Sequence, residues 1–352
     1  MKVAILGTGG VGLGYAAFLH TVGHKPVLWS PSGRGVATFR DGNELVAEGA
    51  LATRFTPATA TGPGFVAEAD AVVVAAPAYA YRAIFGAVLA HLRPGQPLII
   101  SAHLSLAAHY AARLLAARGV TVPVVAWGTT VLMGRKTGPS SVEIGGIRGE
   151  VDAAVVPTAQ ADAGLAACIE LFGARFRRHA NLMAVQLGNL NPPIHLAVAL
   201  CNLTRIERGE AWSNYGGITQ AVARLIEALD RERLDVAVAC GMTVRSVEQH
   251  YQRSFGFAPG ESLAAMAAEI DRRRGGKPPG PTTLDTRFVT EDVPFGIVPL
   301  IRIAAHLGVA VPLHEAGLAM ISALYGRDFA AGNDILSDTE LAAAIPPPAP
   351  KR

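Results

Sequence analysis

The run Gly7-Thr8-Gly9-Gly10-Val11-Gly12 stands directly after a compact apolar stretch, Lys2–Leu6, and opens a helical pattern, Val11–Val22, that closes at Gly23. Glycines at GxGxxG spacing between a strand and a helix suit the binding of a pyrophosphate. Gly7 permits the tight turn and Gly9 lets the backbone approach the phosphates. Gly12 lets the helix lie close on the strand, the helix N-terminus attracts negative charge, and Gly10 and Val11 belong with these glycines to the expected cofactor-binding turn. The spacing alone is a weak signal; the strand before it and the helix after it make it strong. The end of the next strand reports which dinucleotide would fit. An acid there would hold the ribose 2′-hydroxyl of NAD, but the chain reads Trp29-Ser30-Pro31-Ser32-Gly33-Arg34. No carboxylate stands there to repel a 2′-phosphate, Ser30 and Ser32 can donate hydrogen bonds, and Arg34 can pair with the phosphate. NADP(H) is therefore favoured. Glycine at position 12 weighs mildly the other way, so NAD(H) stays open.

Two polar clusters later in the chain could move protons. Asn189-Leu190-Asn191-Pro192-Pro193-Ile194-His195 reads as a helix entry, with Asn191 as the cap and the prolines in the first turn. His195 then feels the positive end of the helix dipole, which favours the neutral ring suited to proton transfer near neutral pH. A lone histidine in an apolar run is more often a packed core residue. The second cluster changes that balance. Arg287-Phe288-Val289-Thr290-Glu291-Asp292-Val293-Pro294 turns into the apolar helix IVPLIRIAAHL, with Thr290 or Asp292 as its cap. Either this is an acidic helix start, or Asp292 orients the ring of His195 and stabilises its protonated form.

The elements that must position these residues fall into two kinds. Apolar runs at Pro26–Trp29, Ala71–Ala75, Pro97–Ser101 and Val122–Trp127 alternate with helical stretches, which predicts a parallel sheet covered on both faces. Ligands of such sheets lie off the carboxyl ends of the strands. That makes Ala76 and Pro77 candidates for the cofactor, and Thr129 and Thr130 candidates for the nicotinamide and substrate neighbourhood. From about residue 183 strand signals vanish and helical patterns take over. The expected architecture is α/β, an N-terminal Rossmann-type doubly wound sheet at 1–180 followed by an all-helical domain at 181–340. The proline-rich end, 341–352, is expected as a disordered tail.

Composition narrows the class. The chain has 352 residues, half of them hydrophobic and only 17% charged, so it can fill two cores and is not a disordered chain. A net charge of +3 without a basic, aromatic-laced stripe gives no nucleic-acid signal. Cys168, Cys201 and Cys240 stand far apart, and the histidines lack metal-ligand spacing, so neither a disulfide framework nor a metal is expected. No apolar run reaches the roughly 18 residues of a membrane span. The start MKVAILGTGG lacks a small-residue cleavage site. A cytoplasmic, soluble protein is the expectation. The alanine-rich helical half could bury a homodimer face.

The succession of the glycine fingerprint, NPPIH, GITQAVARLIEALDRER and RFVTEDVPFGIVPL resembles the octopine/nopaline (opine) dehydrogenases over nearly the whole chain. The NPxxH and TEDVP segments are its most specific parts. The resemblance implies that His195 is the catalytic acid/base, Asp292 its partner and Arg287 the arginine that grips a substrate carboxylate, in a cleft between the domains. It implies an NAD(P)H-dependent reductive condensation of an amino acid with an α-keto acid, and its reverse. Two rivals share the architecture. A 2-keto-acid or ketopantoate-type reductase would look for a catalytic lysine, yet before its tail the helical half offers only Lys277, in a loop. A non-catalytic dinucleotide sensor would not need His195 and Asp292.

Overall fold

The structure, a computed structural model, describes residues 1–345. Two compact units divide them. One comprises Met1–Gln186 with Ile335–Glu340, and the other takes Leu187–Asp334 and the described residues from Leu341 on.

The first unit is built on two sheets. Its strands are β1 (Lys2–Leu6), β2 (Lys25–Trp29), β3 (Leu45–Gly49), β4 (Thr53–Phe55), β5 (Ala58–Thr59), β6 (Ala71–Val74), β7 (Leu98–Ile100), β8 (Val124–Trp127), β9 (Leu132–Gly138), β10 (Ser141–Ile147), β11 (Val151–Val156) and β12 (Phe176–Arg178). Eight form one sheet in the order β12-β11-β8-β7-β6-β1-β2-β5, parallel throughout except between β8 and β11. The reversal of strand order beside β1 is the switch point that a doubly wound sheet uses for ligands. Continuous apolar runs explain the central strands: Val3 to Leu6, Val72 to Val74, Leu98 to Ile100 and Val124 to Ala126 are all fully buried. A strand buried on both faces has no polar alternation.

A second sheet, β4-β3-β10-β9, packs against the first helix, Gly10–Thr21. Its strands are not legible in the sequence as a separate sheet. The neighbouring strands β10 and β11, consecutive in the chain, belong to different sheets. The glycines of β10 and the shortness of β3 and β4 hide the pattern. Tyr15 ties the first helix to the strand ends: its hydroxyl lies 2.6 Å from Ser101 Oγ and accepts from the Val131 amide at 3.0 Å.

The second unit is helical. The helices Asn191–Cys201, Gln220–Ala239, Val298–Leu307 and Pro312–Tyr325 pack around Leu196, Val198, Ile226, Leu229, Val293, Ile297 and Ile321. Two expectations about the C-terminal end need correction. Ile335–Glu340 groups with the sheet unit, because Glu340, 1% exposed, takes an ion pair from Arg113 at 2.5 Å. The expected tail begins inside the helix Asp338–Ala344, where Leu341 and Ala344 are buried; residues 346–352 of that tail lie outside the described residues.

Candidate active site

The glycine turn has the geometry a dinucleotide needs. Gly7 takes a φ of +127°, which L side chains rarely adopt, and a Cβ there would stand 2.2 Å from the Ala75 carbonyl oxygen. A Cβ on Gly12 would stand 2.1 Å from the Gly7 carbonyl oxygen, so helix and turn touch through backbone. Gly9 is different: nothing lies within 4 Å of its Cβ position. The turn is therefore packed beneath and open above. Ala76 adjoins it, its amide nitrogen 3.3 Å from the Cβ position of Gly7, and Pro77 follows, exposed. Val11 is half-buried in the first helical turn.

Beyond β2, Ser30 Oγ is buried with no hydrogen-bond partner. A Cβ on Gly35 would stand 1.8 Å from Thr8 Oγ1 and 3.4 Å from Ser30 Oγ, so two hydroxyls converge there. Sequence reading missed Thr8, an unconstrained x position of its motif. Ser32 and Arg34 sit exposed on the turn that follows, and the Arg34 guanidinium makes no hydrogen bond or ion pair among the described residues. An open turn, an orphaned buried hydroxyl and an unengaged cation fit a dinucleotide.

In the helical unit, His195 and Asp292 meet. His195 Nδ1 lies 2.7 Å from Asp292 Oδ2, across 97 residues of sequence. Asp292 is 1% exposed. The Phe288 ring lies parallel to the imidazole, at 3.6 Å between centroids and 6° between planes. A carboxylate at Nδ1 sets the tautomer in which that nitrogen carries its hydrogen, leaving Nε2 free to take or give a proton. Sequence reading missed Phe288; an aromatic beside a helix start looks like ordinary core.

The local backbone differs from expectation and explains the pairing. Asn191 is the first residue of the helix rather than its cap; the Asn189 side chain accepts from the Asn191 amide at 3.0 Å instead. His195 thus follows the first turn, as the fifth helical residue. Thr290 caps no helix, and Asp292 stands at the N-cap position of the turn Val293–Ile297 but makes no side-chain capping hydrogen bond. Thr286 caps the short helix Arg287–Thr290 by accepting from the Phe288 amide, and a π-helical turn, Val293–Ile297, leads into Val298–Leu307. Pro294 stands in the first turn, where an amide would have no partner within the helix, so its missing N–H costs nothing there. Asp292 is left with its side chain available for His195. Arg287 is 55% exposed with Nε 3.4 Å from Glu291. Thr129 and Thr130 lie half-buried just past β8 in the sheet unit. Among the described residues no group of three or more His, Cys, Asp or Glu is placed to hold a metal ion.

Hydride chemistry needs a dinucleotide and a proton carrier, and a protein that provides a place for each has the equipment of a nicotinamide-dependent dehydrogenase. Known proteins narrow that class. The family model described as NAD/NADP octopine/nopaline dehydrogenase, alpha-helical domain, matches residues 178–325, and that of ketopantoate reductase PanE/ApbA matches residues 3–154. The opine dehydrogenase of Arthrobacter sp. (strain 1C) is 30% identical over 336 residues, 93% of this chain and 91% of that protein. Among solved structures, octopine dehydrogenase with NADH and L-arginine has a TM-score of 0.80 at 19% identity, covering 98% of each chain. Yersinopine dehydrogenase with NADP+ has 0.72 at 15% identity, covering 97% of each. The chain belongs to the opine dehydrogenase family. It is an NAD(P)-dependent oxidoreductase acting on CH–NH bonds.

Proposed function

We propose that this enzyme condenses the amine of an amino acid with the carbonyl of an α-keto acid and reduces the imine, with His195 as the proton carrier and Asp292 as the residue that holds it. The 2.7 Å contact between the two carries the reading. Bound nicotinamide dinucleotide supplies or accepts the hydride at the imine carbon. His195 Nε2 handles the protons of the carbonyl oxygen and the amine, so that loss of water and reduction of C=N to CH–NH balance. Asp292 offsets the charge that His195 acquires. Arg287 grips a substrate carboxylate; its guanidinium is more than half exposed and so within reach of an incoming anion, with Nε 3.4 Å from the buried Glu291. Thr129 and Thr130 offer hydroxyls to the substrate.

The test is dinucleotide oxidation by the purified enzyme with keto acids alone, then with amino acids added. Oxidation that requires both, and falls by about 100-fold or more in His195→Ala, supports reductive condensation. Oxidation with a keto acid alone favours the runner-up, a ketopantoate-type reductase, which draws on the match over residues 3–154. Binding without turnover would point to a sensor.

NADP(H) is the preferred cofactor in this reading. Ser30 donates its orphaned hydroxyl to the 2′-phosphate, and Ser32 and Arg34 close on it. Arg34→Ala should weaken NADPH binding about tenfold and leave NADH binding nearly unchanged, measured by quenching of protein fluorescence. Equal losses for the two would move Arg34 away from the 2′-position. The three free cysteines suit a reducing compartment, and we assign the enzyme to the cytoplasm. No helix among the described residues is long and apolar enough to cross a membrane. A homodimer through the alanine-rich helical unit is testable by light scattering.

A further inference from the structure

Strand β9 runs along the first helix in step with its turns. Leu132 Cδ1 lies 2.6 Å from the Cβ position of Gly14, and the Gly134 carbonyl oxygen lies 2.4 Å from that of Gly10. The contact is mutual, since a Cβ on Gly134 would stand 2.3 Å from the Gly10 carbonyl oxygen. Two strand residues advance about 6.6 Å and four helical residues about 6 Å. Each inward position of β9 therefore moves about one helical turn toward the N-terminus. The next inward position is Lys136. The pairing of β9 with β10 is regular from Gly134 to Lys136, and the partner of Lys136 is Val142, buried in the core beside the first helix. The Lys136 backbone nitrogen is 2.8 Å from the Cβ position of Gly10. A further step beyond Gly10 leaves the helix and enters the open space above Gly9.

The neighbouring cation faces elsewhere. Arg135 lies on the opposite side of the strand and pairs with Glu143 at 2.5 Å. Lys136 is exposed, and its ammonium makes no hydrogen bond or ion pair among the described residues.

We propose that Lys136 is a cofactor-binding residue whose ammonium pairs with the diphosphate held at the Gly7–Gly12 turn. This rests on reading that turn as the dinucleotide site. The second sheet then has a function as well as a fold: the Gly10–Gly134 backbone crossing delivers a positive charge to the end of the first helix, adding to its dipole. The diphosphate is common to NADH and NADPH, so Lys136 should not discriminate between them.

The experiment is direct binding of NADH and NADPH, without substrate, by isothermal titration at low and high salt. Lys136→Gln should weaken both nucleotides by the same factor, about fivefold to tenfold, and make the salt dependence shallower. Lys136→Arg should restore most of the loss. Arg135→Gln removes the same charge from the other face and should change little. Unchanged binding in Lys136→Gln, or an equal loss in Arg135→Gln, would overturn the proposal. So would a loss confined to NADPH, which would put the ammonium on the 2′-phosphate. If the unaltered protein bound neither nucleotide, the dinucleotide reading would fall and Lys136 with it.

Discussion

His195 can carry a proton in a defined direction only if its ring is held, and two side chains hold it. Asp292 bonds Nδ1 at 2.7 Å, and Phe288 lies flat against the ring. Asp292→Asn leaves a side chain of the same shape but removes the negative charge that steadies the protonated ring. We expect kcat to fall by about 100-fold or more while dinucleotide binding stays as it was, because the glycine turn is untouched. Phe288→Leu keeps an apolar neighbour and should cost less than Asp292→Asn. Steady-state kinetics beside a binding titration separate these effects. If Asp292→Asn kept full kcat, the dyad would be a packing feature. His195 and Asp292 could be read in the sequence as residues of the right type. Their meeting could not, since 97 residues separate them. The stacking of Phe288 had no sequence signature at all.

Among the elements, the segment after β7 is the most constrained. Ala102, Ser105 and Leu106 all take positive φ, near +50°, in a stretch with no glycine. Such conformations persist only where the surroundings over-determine them. Here the His103 amide donates to the Trp127 carbonyl, the Gln186 side chain accepts from the Leu106 amide, and His103 Nε2 accepts from the Ala108 amide. His103 is fully buried, and burial first, then nearby His109, pushes its pKa down to about 3 from 6.5. The folded protein therefore binds fewer protons than the unfolded chain between those values. Stability from this group is intact above pH 6.5 and falls as the pH drops toward 3, by up to a few kcal/mol. His103→Gln keeps an acceptor for Ala108 and cannot titrate. Its denaturation midpoint should lose less than that of the unaltered protein between pH 6.5 and 4. Parallel pH profiles would mean that His103 is not the group responsible. The helical patterns over 220–239, 263–274 and 298–307 were legible in the sequence because their apolar spacing is regular. The π-helical turn and the second sheet were not, because proline and glycine blur periodicity there.

At the scale of the molecule, each unit has its own hydrophobic core, and a dinucleotide bound at the glycine turn, as proposed, would couple to the stability of the unit that carries that turn. A ligand at 100 times its Kd stabilises by about 2.7 kcal/mol. Saturating NADPH should therefore raise the thermal transition of the sheet unit by several degrees, followed by calorimetry. An equal shift with NADH at the same concentration would argue against the 2′-phosphate contacts of Ser30 and Arg34. The division into a sheet unit and a helical unit was visible in the sequence, because apolar runs and 3.6-residue periodicity are local properties of the chain. So were the glycine turn, whose spacing falls within six residues, and the family motifs around His195 and Asp292. Contacts between distant segments were decided by packing. The crossing of Gly10 on Gly134, the hydroxyl of Ser30 beside Thr8, the carboxylate of Asp292 on the ring of His195 and the return of Glu340 to Arg113 all depend on backbone paths that no spacing rule encodes.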